Sequence, residues 1–205
     1  MMHKQIRALS LIELLISLTL MVLLMISYFN IDYFSRYHTT SSIRRARIQN
    51  EITVALGHMN KEIAYAIGDV NQSALSITTI SGDDAIKIWV DGNPFQGPPV
   101  APDGKRDPYP DDHQIAYRFI GASGALANRY QIWYYANCVG PNCNQAGSTA
   151  REVIARNIYS FTPSLIDNYL NVVIEARWKP GADVSLDNPR LTMRTQIKMP
   201  AVSAR

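Results

Sequence analysis

The sequence has 205 residues, 47% of them hydrophobic and 18% charged, which is enough for one domain of ordinary size with an appendage and too little for two. Eleven glycines and eleven prolines exclude a collagen-like or low-complexity chain, and two cysteines exclude a four-thiolate zinc site or a disulfide-dense miniature fold. The net charge of +3 resides in residues 1–62, where seven Lys and Arg face four acids. The rest of the chain is balanced, so its body lacks the basic excess of a nucleic-acid binder driven by counterion release, and no nucleic-acid partner is indicated.

Residues 9–29 read LSLIELLISLTLMVLLMISYF, and their only charge is Glu13. As a helix this stretch is roughly 30 Å long, the thickness of a bilayer's hydrocarbon core, and it reads as a transmembrane segment. A secretory signal would have a shorter apolar run ending at an Ala-x-Ala site; neither holds here. Lys and Arg flank both ends, through Lys4 and Arg7 before it and Arg36, Arg44, Arg45 and Arg47 after it, so charge alone does not orient the span. Glu13 would cost about 2.5–3.5 kcal/mol inside hydrocarbon unless it is paired or stays close to the headgroups, which makes it the first functional candidate.

The run Arg7-Ala8-Leu9-Ser10-Leu11-Ile12-Glu13-Leu14-Leu15-Ile16-Ser17 resembles the processing signal of type IV pilins and type II secretion pseudopilins. That pattern is a short basic leader, a small residue before the cut, and an apolar helix with Glu at its fifth position. The chain departs from it with Ala8 where Gly is usual, Leu9 where Phe is usual, and Asn30 where a kinking Pro is frequent. The resemblance implies a leader over 1–8, cleavage between Ala8 and Leu9 by a prepilin peptidase on the cytoplasmic side, and N-methylation of Leu9. It also implies a single pass of the bacterial inner membrane with the head in the periplasm, and assembly with other pilin or pseudopilin subunits into a periplasmic or surface fibre. In such a fibre the Glu13 carboxylate would neutralise a neighbouring subunit's amino terminus, because opposite charges attract strongly in low dielectric and are costly there when orphaned.

Further along, Ile48, Ile52, Ala55/Leu56, Met59, Ile63 and Ala66/Ile67 recur every three to four residues, the period of a one-sided helix. The first proline is Pro94, so nothing breaks a continuous helix from 9 to 67, with Gly68 as its stop. The polar stretch 35–42, SRYHTTSS, is where such a helix would fray. The organisation expected is a membrane and assembly helix over 9–29, an amphipathic helix over 30–68 and a globular head over 69–205.

After Gly68 the pattern turns to alternation, with strands expected at 74–80, 85–91, 114–120, 128–136, 153–161, 169–178 and 190–199. The third and fourth flank Gly121-Ala122-Ser123-Gly124, a hairpin connection, and the last three read as a meander. The fold expected is α+β: a long N-terminal helix, membrane-spanning in its first half, packed against an antiparallel β-sheet head. Tyr117-Arg118, the glycine turn with Leu126 and Arg129, and the following run 153–161 resemble the W-type minor pilins and J-type minor pseudopilins.

Residues 92–113 hold six prolines with Asp103, Asp107, Asp111 and Asp112. The prolines exclude regular structure; the acids offer oxygen ligands for Ca²⁺, but not at EF-hand spacing, and a solvated irregular loop is the plainer reading. Cys138 and Cys143 enclose Gly140-Pro141; in the periplasm a disulfide is expected to staple this turn, whereas a metal would need two more ligands. No G-x-S-x-G or phosphate loop occurs, so no enzyme and no cofactor is expected. The reading is a minor pilin or minor pseudopilin acting at the tip or in initiation; the alternative is a single-pass periplasmic binding or adhesin protein with an uncleaved anchor.

Overall fold

The computed structural model describes residues 10–68, 73–91, 112–122, 129–145, 148 and 151–199, with Arg151 described in its backbone alone. They form one helix, α1 (Leu11–Ala64), and eight strands: β1 (Leu75–Ile80), β2 (Asp83–Val90), β3 (His113–Ile120), β4 (Gln131–Tyr135), β5 (Arg151–Ala155), β6 (Ile158–Ile166), β7 (Tyr169–Arg177) and β8 (Arg190–Lys198). The chain divides into two compact units, Met1–Ser42 and Ile43–Arg205.

Within the first unit the described structure is α1 alone. The stretch 35–42 does not fray: Arg36 Nε pairs with Asp32 one turn back at 2.8 Å, and the hydroxyls of Thr39 and Thr40 donate to the carbonyls of Ser35 and Arg36. Polar side chains that bond their own turn stay compatible with a helix.

In the second unit the rest of α1 buries the stripe expected from the sequence, Ile48, Ile52, Ala55, Leu56, Met59 and Ile63, followed by Ala66. The helix ends at Ala64, earlier than Gly68. Tyr65 and Ala66 donate to the carbonyls of Glu62 and Ile63, tightening the last turn, and Ile67 N–H then goes to Trp89 O at 2.9 Å. Ala66 bridges Val90, so the sheet takes these backbone groups from the helix.

Two antiparallel sheets follow, one of five strands in the order β1-β2-β3-β4-β5 and one of three in the order β6-β7-β8. Every neighbour is consecutive in sequence, so both sheets are meanders. A single strand over 153–161 is corrected by the structure: β5 ends at Ala155, Asn157 sits at φ +61°, and β6 restarts in the other sheet. Inside β6 a β-bulge between Ile158 and Ser160 lets Ile158 and Phe161, three residues apart, both be buried. Pro163 lies in β6, an edge strand, where its missing N–H costs no ladder bond.

One core joins the three layers. The α1 stripe meets Ile86, Ile88, Ile115, Tyr117 and Ile132 of the five-stranded sheet and Phe161, Leu170, Val172, Ile174 and Ile197 of the three-stranded sheet. Alternation sends Ile80, Ala85, Ala116, Trp133 and Tyr135 to the opposite face of the larger sheet, where Cys138 and Cys143 cover them. The architecture is α+β.

Candidate functional site

The candidate assembly segment is described from Ser10, the residue before α1. Its hydroxyl accepts the Glu13 N–H at 3.2 Å, and Glu13 Oε2 accepts the Ser10 N–H at 3.0 Å. This reciprocal pair is a capping box, which satisfies two of the N–H groups that every helix start leaves open. The Ser-x-x-Glu spacing of Ser10 and Glu13 is the sequence signal of this cap, and it gives Glu13 a local role beside its charge. The carboxylate also sits in the first turn of α1, at the positive end of the helix dipole.

Past Glu13 the helix is apolar all round and unburied. Leu24 is 70% exposed and Val22 still 50%. The hydroxyls in this stretch are spent internally: Ser17 donates to Glu13 O, Thr19 to Ile16 O and Ser27 to Leu23 O, each within 3 Å. A helix whose hydroxyls bond its own carbonyls meets the demand that lipid places on every polar group. The far end carries an aromatic cluster, with Tyr33 stacked on Tyr37 at 6.3 Å and Phe34 against His38 at 4.8 Å, ring types that suit a headgroup region. Among the described residues, one helix, near the N-terminus, is therefore long and apolar enough to cross a membrane. Ala8 and Leu9, the processing residues expected from the sequence, lie outside the described residues.

In the head, Cys138 and Cys143 are joined by a disulfide. Their loop is tied to the sheet beneath it by Cys138 N–H to Gln114 O at 2.6 Å, Ser81 N–H to Asn142 Oδ1 at 3.1 Å, and Lys87 Nζ to Gly140 O at 3.0 Å. Lys87 is only 7% exposed, and burial pulls its pKa down from 10.5. Gly140, at φ +79°, supplies a backbone conformation that side-chain-bearing residues rarely adopt.

A second polar centre lies under α1. His58 Nδ1 and the Tyr117 hydroxyl are 2.8 Å apart, and Tyr134 packs on both rings. Burial raises the Tyr117 phenol strongly, with the charge of Glu62 adding to it, and the same two causes push Tyr134 up to about 12. This is a hydrogen-bonded core pair that fixes how helix and sheet meet. Of the other described histidines, His38 sits against Phe34 and His113 opens β3.

Of the acids in 92–113, Asp103, Asp107 and Asp111 lie outside the described residues, while Asp112 is buried just before β3. Among the described residues no three His, Cys, Asp or Glu side chains come together as a metal cluster. Comparison of the chain with protein-family models, with curated proteins and with solved structures finds no match.

Proposed function

We propose that the chain is a minor pilin or minor pseudopilin. It is a structural subunit anchored in the bacterial inner membrane with its head in the periplasm, processed by prepilin peptidase and built with other subunits into a type IV pilus or type II secretion pseudopilus, at the tip or in initiation. The observation that carries the reading is the apolar, unburied helix from Leu11 onward whose only acid before Asp32 is Glu13, set in its first turn. A lone carboxylate at the start of a membrane helix calls for a positive partner. Cleavage after Ala8 would create one, the amine of Leu9 on a neighbouring chain. The other exposed side chains of that helix are the apolar surface that subunits would bury against each other in a fibre shaft.

The role of the protein is thus to be a substrate of processing and a part of an assembly, and none of its side chains is given a catalytic task. Intact-mass measurement on protein isolated from membranes tests this. The expected result is loss of residues 1–8 together with the added mass of one methyl group. A chain that keeps its leader removes the subunit reading and leaves a single-pass binding protein with an uncleaved anchor.

A further inference from the structure

The head contains an open groove of about 510 Å³ between the end of β3, the start of β6 and the loop that follows β7, lined by Phe119, Tyr130, Tyr159, Arg177, Gly181 and Asp183 among others. That volume falls in the range of about 300–1,000 Å³ usual for small-ligand sites. Three features show that its walls are held in place.

The first is the loop wall. Residues 178–189 have no regular structure, yet Asn188 is buried inside them at 4% exposure. Its Oδ1 accepts the Lys179 N–H at 2.7 Å, and its Nδ2 donates to the carbonyls of Lys179, Ala182 and Asp183 at 2.9–3.1 Å. This fixes the backbone of Gly181 and Asp183 and leaves the Asp183 carboxylate exposed.

The second is the cation. Arg177 donates from Nε and Nη2 to Glu175 Oε1 at 2.9 and 2.8 Å, while Arg190 holds Oε2 at 2.8 Å. The guanidinium lies 3.4 Å from the centre of the Tyr159 ring, which remains 41% exposed. A planar cation gripped by a carboxylate and stacked on a ring has little freedom left to lose when it binds.

The third is Tyr130, a non-glycine residue at φ +60°. It is locked there by its N–H to Ile120 O at 2.7 Å and by Ile158 N–H to its own carbonyl at 2.9 Å. A left-handed residue held by bonds on both sides aims its ring at a cost that its surroundings cover.

Among the residues that line the groove the charged ones are one cation, Arg177, and one acid, Asp183, so its lining favours neither an anion nor a cation. It offers aromatic surface, phenol and guanidinium donors, and a carboxylate acceptor. From this set we infer that the groove is a binding site for a neutral saccharide, whose C–H face lies on the exposed aromatic surface while its hydroxyls reach Arg177 and Asp183. The inference stands whether or not the chain is a fibre subunit.

The test uses the full chain in lipid nanodiscs, so that no sugar-headed detergent competes. Maltose, cellobiose and lactose are titrated by calorimetry and saturation-transfer NMR, with glucuronic acid as the anionic comparison. The expected result is saturable binding of at least one neutral disaccharide, weakened about tenfold or more, some 1.4 kcal/mol, by Tyr159→Ala or Asp183→Asn. Both side chains are partly or fully exposed and outside the core, so unchanged thermal unfolding is expected alongside. Absence of binding at millimolar disaccharide overturns the inference. So does wild-type affinity in both variants, or tighter binding of glucuronic acid than of every neutral sugar.

Discussion

Glu13 is asked to do two things with one carboxylate. It closes the first turn of α1 through Ser10, and in the proposed fibre it neutralises a neighbouring amine. The two roles separate by substitution, because a glutamine can still accept the Ser10 N–H but carries no charge. Glu13→Gln is expected to insert in the membrane normally and to lose co-purification of partner subunits. Ser10→Ala is expected to loosen the helix start by about 1 kcal/mol and to leave partner recovery intact. Partner recovery from Glu13→Gln at the wild-type level would show that the charge plays no part in assembly. At Tyr117 and Tyr134 the phenols are raised above their ordinary 10.0. The unfolded chain therefore releases these protons at lower pH than the folded one. Their stabilising contribution is complete below pH 10.0 and is lost as pH rises through the folded values, that of Tyr134 being about 12. Lys87, lowered from 10.5, acts in the opposite sense just below that value. Denaturant unfolding of the head, followed from neutral to strongly alkaline pH, is expected to show stability falling above pH 10.0, with a shallower fall in Tyr117→Phe.

The elements differ in how plainly the sequence announces them. The buried stripe of α1 was legible residue by residue, because a helix lying on a sheet has one apolar face and the period of 3.6 marks it. Seven runs of alternation were legible too, and six correspond to single strands within a few residues at each end. The remaining run, 153–161, hid a change of sheet. Alternation says that a segment is extended, but not that its backbone passes through Asn157 at φ +61° into a different layer. The helix end differs for a similar reason: Gly68 is a good local stop, but the Ile67 N–H goes to Trp89 O of β2 and Ala66 bridges Val90, contacts distant in sequence. The groove was invisible because Phe119, Tyr130, Tyr159, Arg177 and Asp183 come from separate segments with no shared spacing. The cysteine pair was legible from its turn. Its loop is short, so loop-closure entropy gives it about 2 kcal/mol. The double variant Cys138→Ser/Cys143→Ser is expected to lower the unfolding free energy of the head by that amount, read by chemical denaturation. A loss much larger than this would mean that the loop's hydrogen bonds to Gln114, Ser81 and Lys87 fail with the bond.

At the scale of the molecule, the boundary between compact units falls at Ser42/Ile43, inside the helix and not at its end. The head thus includes the last turns of α1, and its core is a joint product of that helix and both sheets. A soluble fragment starting at Ile43 is expected to fold and unfold cooperatively. One starting at Gly68 would bare Ile86, Ile88, Ile115 and Ile174 to water, and burial of side chains of this size is worth about 1.5–3 kcal/mol each. It is expected to aggregate or to stay expanded in size-exclusion chromatography and circular dichroism. Cooperative folding of the shorter fragment would show that the sheets close on each other without the helix.

The same shared core has a mechanical consequence. Traction on residues 43–64 bears on Ile48, Ile52, Met59 and Ile63 at once, and none of them can slip without opening both sheets. Residues 43–64 are thus part of the body they carry, and they leave it only when its core opens.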